Sequence, residues 1–142
     1  MRFLIGTDDQ RAIVDWLAQH LRVKGHQVDI TGVRKWGAMA THVGEEVANG
    51  HFDHGIVCCW TGTGAAMAAN KVAGIRAALC VDAETARGAR KWNDANVLAL
   101  SLRLLSEPVA EEILEAWIGT AYEGTEDESL AYLSPADGGR AK

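Results

Sequence analysis

The sequence predicts an α/β fold in which helices cover both faces of a five-stranded parallel sheet. Two observations support it: short apolar runs alternate with longer segments of helical periodicity, and Gly, Asp or Asn stand at most of the junctions. Parallel strands need crossover connections, which helices supply in such an alternating pattern. We expect strands at 2–6, 26–31, 55–59, 76–81 and 96–101, and helices at 10–24, 40–49, 64–72, 83–91 and 109–117.

In the first half of the chain, the first apolar run ends in Gly-Thr-Asp-Asp, where Asp9 is expected to cap the first helix. Apolar residues recur at every fourth position within 10–24, which predicts an amphipathic helix that ends at Gly25. An alternating segment then predicts the second strand. Residues 32–39, with Trp36, are expected to form a loop before the second helix.

In the second half, a Thr-Gly-Thr-Gly turn joins the third strand to the third helix. Asp82 is expected to cap the fourth helix, and Trp92-Asn93-Asp94 to form a polar turn before the fifth strand. Pro108 suits the first turn of the last long helix. We interpret residues 1–134 as one domain and expect 135–142 to be a disordered tail.

Composition and charge restrict the classes of function. The formal net charge of −5 over 142 residues disfavours nucleic acid and anionic membrane surfaces as partners. No apolar stretch reaches the roughly 18 residues of a membrane span, and acidic residues follow the first apolar run too early for a signal peptide. The three cysteines have no metal-binding spacing. We therefore expect free thiols, no metal and a cytoplasmic location.

In a parallel sheet the ligand lies beyond the carboxyl ends of the strands. Four places fall on that edge: Asp8-Asp9, Trp36, residues 59–64 and residues 101–103. The glycine-rich turn within 59–64 precedes a helix whose first N–H groups lack intrahelical partners, so it could cradle an oxyanion, a hydroxyl or a phosphate. Trp92-Asn93 falls on the opposite edge and could reach such a site only from another subunit.

Cys59 ends the third strand beside this turn, where a helix N-terminus favours a thiolate, so it is the candidate base or nucleophile. The alternative is an ordinary buried strand cysteine, which is our interpretation of Cys58 and Cys80. Asp8 is expected to bind a hydroxyl. Asp9 keeps two open interpretations, as helix cap or as substrate ligand.

We expect the tryptophans in helical patterns to pack in the core, and those in loops either to pack or to stack on the apolar face of a sugar. The first group is Trp16 and Trp117; the second is Trp36, Trp60 and Trp92. The histidines form no metal-ligand pattern, and three of them are expected at the surface. These are His42, His51 and His54.

Several segments resemble one known family. They are Gly6-Thr7-Asp8, Thr61-Gly62-Thr63-Gly64, Ala68-Ala69-Asn70-Lys71, Ala73-Gly74-Ile75-Arg76-Ala77-Ala78-Leu79-Cys80, Asn93-Asp94-Ala95-Asn96-Val97-Leu98-Ala99 and Ala121-Tyr122-Glu123-Gly124. In this order, over about residues 1–125, they resemble the ribose-5-phosphate isomerase B and galactose-6-phosphate isomerase family. The resemblance implies a Rossmann-like three-layer α/β/α sandwich, a homodimer or tetramer with active sites at the interface, no cofactor, and aldose–ketose isomerisation through an enediolate.

The resemblance also implies residue roles. Cys59 falls on the position of the base that moves a proton between C1 and C2 in one branch, whereas Ala65 stands where another branch has glutamate. Asp8 and Thr61 match positions that hold substrate hydroxyls and assist ring opening. The remaining expected substrate-binding residues are Asp9, Trp60, Gly62, Thr63, Gly64, Trp92 and Asn93.

Other positions depart from the family pattern. Asp9 and Trp92 stand where the family has histidine, and Trp60 where it has glycine after the catalytic cysteine. Lys35-Trp36-Gly37 replaces Asp-Tyr-Pro, and the phosphate-binding arginines fall on Glu126 and about Leu130. Because acids at such positions oppose a phosphate dianion, we expect an altered phosphate site.

The sequence thus predicts an isomerase of a small sugar or sugar phosphate that uses Cys59. The substrate is an unphosphorylated or short-chain sugar, or a phosphate held by other cations such as Arg34, Lys35 or Arg103. The alternative is a non-catalytic sugar-binding or regulatory homologue, in which the missing histidines mean missing chemistry.

Overall fold

The computed structural model describes residues 1–133, which form one parallel sheet and the helices packed on it. In chain order the elements are β1 (Arg2–Thr7), α1 (Ala12–Val23), β2 (Gln27–Ile30), α2 (Trp36–Ala48), β3 (His54–Cys59), α3 (Thr63–Ala69), β4 (Ala77–Leu79), α4 (Ala83–Asn93), β5 (Val97–Ser101), α5 (Glu107–Ile118) and α6 (Asp127–Ala131). The strand order is β2-β1-β3-β5-β4, and every pairing is parallel. The predicted parallel sheet is confirmed. The predicted tail at 135–142 lies outside the described residues.

Helices cover both faces, so the molecule is a three-layer α/β/α sandwich as predicted. On one face α1, α4 and α5 enclose a core that includes Leu17 and Trp117. On the other face α2 and α3 enclose a second core around Met39. The central strand β3 is buried on both sides, which explains its continuous apolar sequence. Its last two residues face different cores: Cys58 the first and Cys59 the second.

Two segments predicted as loop or turn are helical. α2 begins at Trp36 rather than at residue 40, because the Met39 N–H already donates to the Lys35 carbonyl at 2.9 Å. α4 runs through Asn93 rather than ending at 91, and it stops where Asp94 takes a left-handed conformation with φ 46°. Asparagine and aspartate tolerate this conformation better than most residues. The predicted loop around Trp36 and the predicted turn at Trp92-Asn93 are therefore wrong.

The cap predictions have mixed outcomes. Asp82 caps α4 as predicted, since its side chain accepts a hydrogen bond from the Thr85 N–H at 2.7 Å. Asp9 does not cap α1. The N-cap is Arg11, and the Asp9 carboxylate instead accepts a hydrogen bond from Arg11 Nε at 2.7 Å. The Asp9 carboxylate, which was expected to accept hydrogen bonds from the first amides of α1, thus binds the Arg11 guanidinium.

The predictions for the tryptophans and histidines are confirmed in part. Trp117 is fully buried as predicted, and Trp16 packs half-buried against the same core. His51 is exposed as predicted, but His54 is only 8% exposed, so the prediction that it is a surface residue is wrong. Its ring stacks 5.6 Å from that of Phe3 and meets that of Trp117 edge-on at 5.8 Å. His54 opens the central strand, where both faces are covered.

Candidate active site

The carboxyl ends of β1, β3 and β5 lie side by side at one edge of the sheet. The registers pair Thr7 with Cys58 and Cys59 with Ser101. Asp8 therefore follows β1 directly beside the position of Cys59, and its N–H donates to the Cys58 carbonyl at 3.2 Å. Strand order reverses between β1 and β3, which is the point where open α/β sheets bind ligands.

The two cysteines at the end of β3 have different surroundings. Burial raises the pKa of Cys58 to about 12, and the neighbouring Cys59 and Asp8 contribute in the same direction, so this thiol stays protonated. Cys59 faces the α2–α3 core in the same cluster as Ala65 of α3, at the start of the helix that follows the turn. It is 4% exposed. Of these two cysteines, Cys59 is therefore the one whose side chain lies on the α3 side of the sheet, between Asp8 and the glycine-rich turn.

The turn after Cys59 is held by the end of β5. The Trp60 carbonyl accepts hydrogen bonds from Ser101 Oγ at 2.9 Å and from the Arg103 N–H at 3.0 Å. The Leu102 N–H also donates to the Cys59 carbonyl at 2.9 Å. These bonds fix the backbone directly after the thiol. A site at this edge is therefore built on a rigid segment rather than on a free loop.

Gly62 bends the turn so that α3 can start. It has φ 78°, and a Cβ there would lie 2.5 Å from Leu79 Cδ1 and 3.0 Å from the Leu100 carbonyl carbon. The position therefore requires glycine both for its conformation and for its contact with β5. On the exposed side of the turn, the hydroxyls of Thr61 and Thr63 are hydrogen-bonded at 2.7 Å. Beyond them, the first N–H groups of α3 make no hydrogen bond among the described residues and are available to an oxyanion or a hydroxyl.

Asp8 is half-buried, whereas Asp9 is exposed. Loss of hydration raises the pKa of Asp8 above its ordinary value; a backbone hydrogen bond opposes this shift, and the charge of Asp9 adds to it. Of the two adjacent carboxyl groups, Asp8 is therefore the one that the edge of the sheet holds partly away from water.

Two half-exposed tryptophans border the turn. Trp60 follows Cys59 directly, and Trp36 packs over the start of α3, since a Cβ on Gly64 would lie 3.0 Å from its ring. Trp36 was expected at this edge. Its ring packs against Gly64 of the turn, a contact that sequence spacing does not reveal.

Arg11 is a further residue of this edge that the sequence analysis missed. Its guanidinium carbon lies 5.2 Å from the Trp60 ring centroid, while Nε binds Asp9. The available signal was its position two residues after Asp9. Asp9 was instead interpreted as a helix cap, because it directly precedes the first helix.

Two predicted substrate-binding residues are not near Cys59 within this chain. Trp92 and Asn93 end α4 at the amino edge of the sheet, next to Arg76, whose guanidinium binds the following Asp94 at 3.1 Å. Both are exposed, and Asn93 lines a surface cavity with Ala77 and Ala78 of the edge strand β4. One copy of the chain therefore assembles eight of the ten predicted site residues at a single edge.

Residues 1–133 contain no group of three His, Cys, Asp or Glu side chains placed to hold a metal ion. None of the helices in the described part of the chain is long and apolar enough to cross a membrane.

An open parallel sheet with helices on both faces, and with a thiol, a carboxyl group and a glycine-rich turn at its switch point, defines a Rossmann-like α/β protein. Residues 4–131 match the Ribose/Galactose Isomerase family, and the chain belongs to this family. The family resemblance stated from the sequence is confirmed.

Three curated relatives show the range of this similarity. The chain is 39% identical over 125 residues to the DNA damage-repair/toleration protein DRT102 of Arabidopsis thaliana, covering 86% of this chain and 40% of that protein. It is 46% identical over 85 residues to ribose-5-phosphate isomerase B of Escherichia coli, covering 60% and 57%. It is 39% identical over 119 residues to a D-erythrulose-4-phosphate isomerase of Pectobacterium atrosepticum, covering 82% and 78%. The chain thus spans about half the length of the first two.

Solved structures agree with the fold. Ribose-5-phosphate isomerase B of Clostridium thermocellum superposes with a TM-score of 0.92 at 32% identity, covering 99% of this chain and all of that one. The enzyme of Mycoplasma genitalium, solved with bound ribulose-5-phosphate, has a TM-score of 0.84 at 31% identity, covering 92% and 95%.

Proposed function

We propose that this protein is an aldose–ketose isomerase of a small sugar or sugar phosphate, with Cys59 as the base. The observation that carries the proposal is the position of Cys59 at the switch point, between Asp8 and the turn formed by Thr61 and Gly62. The names of the relatives supply the reaction class, since they include isomerases of ribose 5-phosphate and of D-erythrulose 4-phosphate.

Isomerisation needs a base that moves one proton between C2 and C1, and donors for the oxygen that becomes negative. In the aldose-to-ketose direction, the Cys59 thiolate removes the C2 proton as the C1 carbonyl becomes the enediolate oxygen. A proton then passes from O2 to O1, and the same thiol returns its proton to C1 as the carbonyl forms at C2. The N–H groups around Gly62 to Gly64 and the Thr61 hydroxyl stabilise the enediolate, and Asp8 assists opening of the sugar ring.

The proposed functional unit is a homodimer, or a tetramer built from dimers, without a cofactor. Trp92 and Asn93 are exposed beside the open edge of β4, from which they can reach the Cys59 edge of a second copy. This arrangement gives the two predicted binding residues a role that one chain cannot give them. The three free and buried cysteines support a cytoplasmic location, where thiols stay reduced.

Incorporation of deuterium from solvent at C2 of candidate tetroses, pentoses and their phosphates tests the reaction. We expect exchange with the parent protein and a loss of about 100-fold or more in Cys59→Ala, because general-base catalysis contributes roughly 10²–10⁴-fold. Cys58→Ala is the matched control, since it removes the adjacent thiol that faces the opposite core.

Equal exchange rates in Cys59→Ala and the parent would show that Cys59 is not the base. If no sugar exchanges but one raises the melting temperature, the chain is the non-catalytic sugar-binding homologue.

A further inference from the structure

Arg11 lies at the candidate active site and is fixed there by two contacts. Its Nε donates to Asp9 Oδ2 at 2.7 Å, and its guanidinium carbon lies 5.2 Å from the centroid of the Trp60 ring. The Trp60 backbone is in turn held by Ser101 and Arg103. A guanidinium stacked on an aromatic face and held at one nitrogen has a restricted orientation.

The remaining nitrogens of this guanidinium are free to bind a ligand. Within residues 1–133, Nη1 and Nη2 of Arg11 make no hydrogen bond, and the side chain is 45% exposed. Two parallel N–H groups match the geometry of phosphate oxygens. Among the described residues, the Asp9 carboxylate binds the guanidinium only at Nε, so Nη1 and Nη2 remain available to a ligand.

The other cationic side chains at this edge are not held in place by polar contacts. Arg34, Lys35 and Arg103 are exposed, and their side chains make no hydrogen bond or ion pair among the described residues. A side chain that is already ordered loses less conformational entropy on binding than a free one. Arg11 is therefore the cation of this edge best arranged to bind an anion next to the Cys59–Trp60 segment.

We propose that Arg11, stacked on Trp60 and held by Asp9, binds the phosphate group of a phosphorylated sugar and makes the site selective for sugar phosphates over free sugars. The inference rests on the proposed function and deepens it by naming the substrate class and the residue that selects it. It also gives Asp9 and Trp60 a joint role: they position the guanidinium, while the Trp60 ring contacts the sugar carbons.

Titration of the full chain with inorganic phosphate, followed by calorimetry, tests this binding without requiring turnover. We expect Arg11→Gln to weaken phosphate binding about tenfold or more, a loss expected when a charge-assisted bidentate contact is removed. Arg11→Lys should bind with intermediate affinity, because it keeps the charge but not the fork. Arg87→Gln is the matched control, since Arg87 is an exposed α4 residue paired with Glu84.

Kinetics with D-ribose 5-phosphate and D-ribose give the second measurement. We expect Arg11→Gln to raise KM for the phosphate ester about tenfold while kcat changes little. The ratio of kcat/KM for the two sugars should fall by a similar factor. Thermal melts check that Arg11→Gln is folded. We expect a folded protein, because the substitution removes one exposed ion pair.

The outcomes separate this inference from the proposed function. Phosphate binding that depends on Arg11 in a protein without exchange activity would support the inference and contradict the isomerase. Exchange activity with unchanged phosphate binding in Arg11→Gln, or no phosphate binding by the parent, would overturn the inference and leave the isomerase intact.

Discussion

His54 is a buried imidazole with an unpaired nitrogen. Its Nδ1 and the Trp117 indole nitrogen are the two buried side-chain nitrogens without a hydrogen bond in the described part of the chain. Burial lowers the pKa of His54 to about 4, and the positive charge of Arg90 contributes in the same direction. Arg90 also stacks over the Trp117 ring, at 5.6 Å. The folded protein thus strongly favours the neutral imidazole.

This burial predicts a loss of stability in mild acid. Between pH about 6.5 and 4 the unfolded chain protonates His54 while the folded chain does not, so the free energy of unfolding falls as pH falls. The shift in the pKa of His54 corresponds to a loss of about 3 kcal/mol in the free energy of unfolding when the pH reaches about 4. Urea unfolding of the parent and of His54→Phe at pH 7 and near 4 measures it. An equal pH dependence in both proteins would contradict the assignment.

For single residues, the sequence predicted the environment correctly where it follows from the alternation of side chains along a strand. Cys58 and Cys59 had to face opposite sides of a buried strand, and they do. His54 was misjudged and Arg11 was missed, because their environments depend on contacts distant in sequence or across the edge of the sheet. Phe3 and Trp117 bury His54, and Trp60 brings Arg11 to the site.

The strand–turn–helix element from β3 to α3 depends on Gly62. A non-glycine residue with positive φ is strained in any surroundings, and here its Cβ would also press on Leu79 and on the backbone at Leu100. Gly25 provides a comparison, since it has φ 90° and no atom lies within 4 Å of the place that a methyl group would occupy. Comparing alanine substitutions at Gly25 and Gly62 therefore separates the cost of backbone strain from that of steric conflict.

We expect Gly25→Ala to lower the free energy of unfolding by about 1 kcal/mol, the usual cost of a left-handed alanine. Gly62→Ala should lower it by about 2–4 kcal/mol, because overpacking adds roughly 1–3 kcal/mol. Deuterium exchange at C2 should also fall only in Gly62→Ala, since the turn carries the proposed enediolate donors. Urea unfolding and the exchange assay check both effects; equal destabilisation would show that the contact with β5 relaxes freely.

Element boundaries were less predictable than element types. All five strands were predicted in order, but α2 starts four residues earlier than expected and α4 continues two residues further. Gly37 and the polar Trp92-Asn93-Asp94 segment favoured loops by local propensity. Tertiary contacts outweighed it: Trp36 packs on Gly64, and Asp94 pairs with Arg76 before the chain turns.

The arrangement of copies decides whether the proposed site is complete. Cys59, Asp8 and the glycine-rich turn lie at the carboxyl edge of the sheet, whereas Trp92 and Asn93 end α4 at the amino edge. A homodimer in which each copy supplies Asn93 to the other would unite them. Such an interface has two-fold symmetry, so both sites form at once.

Mixing two inactive variants tests this arrangement. Cys59→Ala and Asn93→Ala should each exchange deuterium slowly, but dissociation and random reassociation of the mixture should restore about a quarter of the parent activity, because half of the dimers contain one site with neither substitution. A mixture of Cys59→Ala and Thr61→Ala is the matched control. It should stay inactive, since both residues belong to the same edge of one chain and every site keeps one substitution. If the first mixture also stays inactive while light scattering confirms dimers, Asn93 does not enter the partner's site.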